Sequence, residues 1–104
     1  MQIDWRIQTG VMSASEFSDT WPAYARELGV LLHRERICKG LSQERLAFAA
    51  GISAFTYRKL EKGESNPGTP ANPRLRTLVA LAEVLGIPLS ALLPPDPENV
   101  AVGR

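Results

Sequence analysis

A chain of 104 residues with 44% apolar content and a formal net charge of +1 suits one small domain; it is too short for two cores and too balanced for a polyelectrolyte. A single cysteine, Cys38, excludes an internal disulfide and a cysteine-rich zinc site. No apolar run approaches the roughly 18–20 residues of a membrane-spanning helix, and no basic segment leads into an apolar one at the start, so a cytoplasmic location without membrane contact is expected.

Residues 1–10 alternate, with Ile3, Trp5 and Ile7 on one side and Gln2, Asp4, Arg6 and Gln8 on the other. That is a strand pattern, ended by Gly10. A lone strand ahead of a helical domain either pairs with the same strand of a second copy or forms a loosely held arm. Residues 11–22 are Ser-rich and complete an N-terminal arm, residues 1–22, that closes on Trp21-Pro22. Asp19 or Thr20 can cap a first helix that has Pro22 in its opening turn. From Ala23 to Lys39, Leu28, Leu31, Leu32 and Ile37 mark one buried face, and Gly40 stops the helix.

The stretch from Leu41 to Gly63, LSQERLAFAAGISAFTYRKLEKG, reads as two short helices joined by a tight turn. Ser42 is an N-cap, although Arg45 at N3 leaves the capping box incomplete. Leu46, Ala47, Ala49 and Ala50 give the second helix a small inward face that permits a close crossing. Gly51 falls where a helix needs a left-handed residue, and Ser53 caps the third helix. There Tyr57, Leu60 and Glu61 share one side at helical spacing, while Ala54, Phe55, Arg58, Lys59 and Lys62 fall on the other. This is a helix-turn-helix with a basic outer face. Residues 33–62 carry seven Lys/Arg against three Glu, whereas the flanking segments are slightly acidic, so the positive charge coincides with this unit.

Residues 63–73, GESNPGTPANP, read as a loop. Asn72-Pro73 then predicts the start of a fourth helix, Pro73 to Leu85, with Leu75, Leu78, Leu81, Ala82 and Leu85 at helical spacing and Gly86 as its end. Ile87-Pro88 turns the chain into a short fifth helix, Leu89 to Leu93. Pro94, Pro95 and Pro97 forbid continuation, leaving a loose tail over residues 94–104. The expected fold is all-α, a five-helix bundle over residues 23–93 with an N-terminal extended arm.

The span from about Leu28 to Leu93 resembles the XRE or Cro/phage-repressor type of helix-turn-helix domain, the lambda-repressor-like fold. The resemblance rests on G-L-S-Q-E-x-L-A at Gly40–Ala47, G-I-S at Gly51–Ser53 and L-E-K-G at Leu60–Gly63. It continues through Asn66-Pro67 and L-x-x-L-A-x-x-L-G-I at Leu78–Ile87. It implies a compact bundle whose third helix enters the DNA major groove. It makes Gln43 a phosphate contact, a role that the positive end of the second helix favours. It makes Ser53, Ala54, Phe55, Thr56, Arg58 and Lys59 the DNA-contact surface, and it makes Arg36 and Glu61 an ion pair between the first and third helices. Three departures stand out. Phe55 occupies a position that is commonly polar, where an aromatic can pack on a thymine methyl without donating a hydrogen bond. The loop after the third helix is also longer than usual, and Glu35 replaces a common leucine.

Arg58 is the candidate for bidentate contact to guanine, and Lys59 and Lys62 for general phosphate contacts. His33 has no second His or Cys at ligand spacing, so no metal site is expected. Cys38 is expected as a small packing residue and Tyr57 as core. No nucleophile–base pair, paired catalytic carboxylates or phosphate-cradling Gly loop is present, so neither an enzyme nor a cofactor is expected. The reading is a sequence-specific DNA-binding regulator, a repressor acting as a homodimer on double-stranded DNA. The alternative is an antitoxin that binds a protein toxin, with residues 1–22 and 94–104 as the segments open to it, and autoregulates through the same domain. A third option is a degenerate domain that contacts only proteins.

Overall fold

A computed structural model describes residues 20–101. The strand expected at residues 1–10, and all but the last three residues of the arm, lie outside the described residues. The chain order is α1 (Trp21–Cys38), α2 (Gln43–Ala50), α3 (Ala54–Glu61), β1 (Glu64–Asn66), β2 (Thr69–Pro70), α4 (Leu75–Leu85) and a 3-10 turn, Leu89–Ala91. The bundle therefore has four α-helices where five were expected. Pro88 before the last turn and Pro94 behind it leave too little chain for α-helical hydrogen bonds, so Leu89–Ala91 closes one 3-10 turn. It still delivers Leu92 to the core with no exposed surface.

The core is built from Leu28 and Leu32 of α1, Leu46 and Ala47 of α2, Tyr57 and Leu60 of α3, and Leu78, Leu81, Ala82 and Leu85 of α4. Each fully buried leucine contributes about 1.5–3 kcal/mol. Three residues predicted to face inward are exposed: Ile37, 56% exposed at the end of α1, Ala49 on α2, and Leu75, 67% exposed at the start of α4; Leu31 is only half-buried. Cys38, likewise, is exposed instead of packed.

The α1–α3 crossing is close because Gly29 has no side chain. A Cβ there would lie 2.8 Å from the Leu60 carbonyl oxygen and the Glu61 carbonyl carbon, and nearer still to the Glu61 oxygen. This is a backbone-on-backbone seam. At the far end of α3, Gly63 takes φ 78° and the chain enters the segment read as a loop. It is a short antiparallel hairpin instead, with Glu64 opposite Pro70 and Asn66 opposite Thr69. Pro67-Gly68 makes its tip; Gly68 has φ 80°, the value a type II turn requires after proline. The Trp21 indole N–H donates to the Ala71 carbonyl at 2.7 Å, tying the hairpin's exit to the start of α1.

Two capping expectations also change. The Thr20 hydroxyl donates to the Glu98 carbonyl instead of capping α1, which holds part of the C-terminal tail against the bundle. Asn72 does not cap α4: Pro73 keeps the chain extended through Arg74, and the helix begins at Leu75 with no side-chain cap.

Candidate nucleic-acid interface

The helix-turn-helix follows from local chemistry. The Ser42 hydroxyl accepts from the Arg45 N–H at 3.0 Å, and the Ser53 hydroxyl accepts from the Thr56 N–H at 3.0 Å, so each helix has one early donor satisfied. Gly51, at φ 81°, reverses the chain between them, and the Ile52 N–H returns to the Ala47 carbonyl. The turn is fixed at both ends.

This geometry sets the outer face of α3. Tyr57 and Leu60 are buried, whereas Phe55 is 64% exposed and Thr56, Arg58 and Lys62 are exposed beside it. Ala54, expected on the outer face, is half-buried against the core. Ser53 also donates its hydroxyl hydrogen to Thr56 Oγ1 at 2.9 Å, so these two side chains face each other. The Lys59 ammonium lies 4.4 Å from the Phe55 ring centre, a cation–π contact that presents ring and charge as one unit. The Arg58 guanidinium reaches Glu44 on the first turn of α2 at 3.3 Å; both side chains are largely solvated.

Behind this face, α1 and α3 share a polar cluster. Arg36, 8% exposed, donates Nε–H to Glu61 Oε2 at 2.7 Å, Nη2–H to Glu61 Oε1 at 3.3 Å and Nη1–H to the Leu41 carbonyl at 2.9 Å. The Tyr57 hydroxyl donates to Glu61 Oε2 at 2.5 Å, and the Gln43 amide donates to Oε1 at 2.9 Å. Burial alone would raise the Glu61 pKa, but hydrogen bonds from Arg36, Tyr57, Gln43 and His33 prevail and hold it down at about 2. Burial pushes the Tyr57 phenol up, and its bond to Glu61 adds to that, so it remains a donor. The hydrogen bond to Glu61 raises Arg36 further above its ordinary value despite burial. A carboxylate with four N–H and O–H donors on it, two of them from Arg36, is a fixed structural joint.

Gln43 is thus anchored to Glu61 at the start of α2, with its side chain at the edge of the basic face. Gly29 and His33 are the residues that sequence reasoning passed over. A glycine inside an otherwise regular helix was the available signal for the first. For the second there was no signal, because its partners Arg36 and Glu61 come together only in the fold. Among the described residues no group of His, Cys, Asp and Glu could hold a metal ion, and no helix is long and apolar enough to cross a membrane.

A basic, solvated helix presented by a second helix through a glycine turn defines a helix-turn-helix DNA-binding module. The family model described as "Helix-turn-helix" matches residues 32–92, more than half of the chain, and the protein belongs to this XRE-type family of DNA-binding transcriptional regulators. Among solved structures it is similar to the restriction-modification controller protein C.AhdI from Aeromonas hydrophila. The two are 32% identical with a TM-score of 0.60, over 68% of this chain and 98% of that one. A comparison with curated proteins gives no match.

Proposed function

We propose that the protein is a sequence-specific repressor that binds double-stranded DNA as a homodimer, with α3 in the major groove. The observation that carries this reading is the division of α3 into a buried Tyr57–Leu60 side and a solvated side bearing Phe55, Arg58, Lys59 and Lys62. Arg58 supplies a bidentate contact to guanine, and Phe55 packs on a thymine methyl. Lys59 and Lys62 neutralise phosphates, and Ser53, Thr56 and Gln43 add polar contacts to the backbone. Ala54 brings the start of α3 close to the DNA by its small size. Arg36 and Glu61 hold α1 against α3 and touch no DNA.

Dimerisation is supported by size: one module this small buries too little DNA for tight specific binding. Exposed Leu75 and Val79, one turn apart on α4, together with Leu93, offer apolar surface for a second copy. Two α3 helices related by a two-fold axis would then read half-sites about one helical turn apart and block polymerase sterically.

The test is fluorescence anisotropy with a duplex from upstream of the protein's own gene and a scrambled duplex, at two salt concentrations. Specific binding should be tighter by at least about a thousandfold. Equal, weak and salt-labile binding to both would refute the reading.

A further inference from the structure

Between α1 and α3 lies a cleft of about 370 Å³, with Gly29, Val30 and His33 on its α1 side and Gln43, Arg58, Glu61 and Lys62 completing its lining. We infer that this cleft receives a phosphate of the DNA backbone and that His33 contacts it through Nε2–H, adding a proton-dependent term to DNA affinity. The inference rests on the DNA-binding reading above and adds to it a residue on α1, outside the helix-turn-helix.

The argument begins with the ring's two nitrogens. His33 Nδ1 lies 3.2 Å from Arg36 Nη2 and 3.3 Å from Glu61 Oε1. Arg36 can only donate and the Glu61 carboxylate can only accept, so Nδ1 is held between them, accepting from Arg36 in one neutral tautomer and donating to Glu61 in the other. In the imidazolium Nδ1–H donates to Glu61 and Nε2–H is free to donate to a phosphate, whichever neutral tautomer it comes from. The side chain is 57% exposed, and no described residue hydrogen-bonds to Nε2.

The charges around the cleft suit an anion. Glu61 is its only carboxylate, and Arg36 neutralises it at 2.7 Å. Tyr57 and Gln43 donate to the same carboxylate, so neither adds negative charge. Lys62 and Arg58 remain as cations on the α3 wall, the latter shared with Glu44 of α2. A phosphate placed there meets donors from α1, from α2 and from the end of α3 together. Its charge also favours the imidazolium, so binding is coupled to proton uptake.

His33 is the chain's one histidine, which makes the test direct. The imidazole is titrated by NMR in the full chain, free and saturated with the upstream duplex, while anisotropy measures Kd from pH 7.5 to 5.5 at fixed salt for the wild type and His33→Gln. Expected are a DNA-induced rise in the His33 pKa and a wild-type Kd that tightens on acidification. The gain should reach about tenfold for each unit of that rise, and the glutamine variant should not show it. A merely structural role would alter stability without moving the imidazole's pKa on binding. Specific binding with an unmoved pKa and identical pH profiles for the two proteins would overturn the inference and leave the repressor reading standing. Failure of the wild type to discriminate between duplexes would overturn both.

Discussion

Replacing Arg36 by Met keeps an unbranched stem comparable to the arginine's aliphatic part and removes its donors. The bonds lost are two to Glu61, one to the Leu41 carbonyl and one to His33 Nδ1. The Glu61 side chain, 8% exposed, is left with a charge and no counter-ion. Breaking one member of such a pair costs about 3–5 kcal/mol. Proton linkage reaches the same order independently. The Glu61 carboxyl has an ordinary value of 4.5 and is held at about 2 in the fold. At about 1.4 kcal/mol per unit, its native partners stabilise by about 3 kcal/mol. Since the folded value is the lower one, this stabilisation is complete above pH 4.5 and is lost as pH falls toward 2. Urea denaturation followed by circular dichroism at pH 7 and at steps below 4.5 measures both effects. Arg36→Met should lose most of a small domain's stability at pH 7 and show a flatter acid limb than the wild type. Adding Glu61→Gln should recover part of the loss, because the orphaned charge is gone. A penalty below about 1 kcal/mol with an unchanged acid limb would refute the account of the seam; a variant too unstable to fold agrees with it, and Arg36→Lys then supplies a measurable intermediate.

Gly29→Ala should destabilise by about 1–3 kcal/mol or more, seen as a lower urea midpoint, because its methyl meets the Leu60–Glu61 backbone and not a movable side chain. Lys62→Ala should reduce the slope of log K against log salt by about 0.9 without altering base preference, whereas Arg58→Ala should remove about 1–3 kcal/mol of discrimination at one base pair. A scan of thymine-to-uracil substitutions should find one position per half-site where the wild type weakens and Phe55→Ala does not respond. Ser53→Ala should cost about 1 kcal/mol of stability in the same denaturation assay, through the lost bond to the Thr56 N–H.

The helix-turn-helix was legible because its determinants are short-range. Ser42, Gly51 and Ser53 each satisfy or redirect backbone within three or four residues, and the structure places them as their chemistry requires. Periodicity alone misled at helix ends: Ile37 and Leu75 keep the helical spacing, yet no neighbour extends far enough to cover them. The hairpin at residues 64–70 was hidden by its prolines, although Pro67-Gly68 is a turn signal in its own right. The polar cluster was legible only as a pair. Arg36 and Glu61 could be matched to each other, but the roles of Gly29, His33 and Gln43 around them depend on residues as far as 28 positions and more from Glu61 being brought to one seam, which no local pattern encodes.

Magnitudes separate the two arginines that hold carboxylates. The Arg58–Glu44 pair is largely solvated at 3.3 Å, and exposed pairs of this kind are worth about 0–1 kcal/mol. In the proposed complex Arg58 would therefore leave Glu44 for a guanine at little cost. Arg36 is buried with all three guanidinium nitrogens engaged, so releasing it to DNA would forfeit several kcal/mol. Gln43 lies between these cases. One N–H of its amide holds Glu61 at 2.9 Å, and an amide has a second N–H to offer. A phosphate engaging that second hydrogen leaves the joint intact and meets a donor whose position Glu61 has already fixed. In the proposed complex the buried carboxylate of α3 would thereby aim the first residue of α2 at the backbone, and Glu61→Gln should weaken binding to all duplexes alike while leaving base preference unchanged.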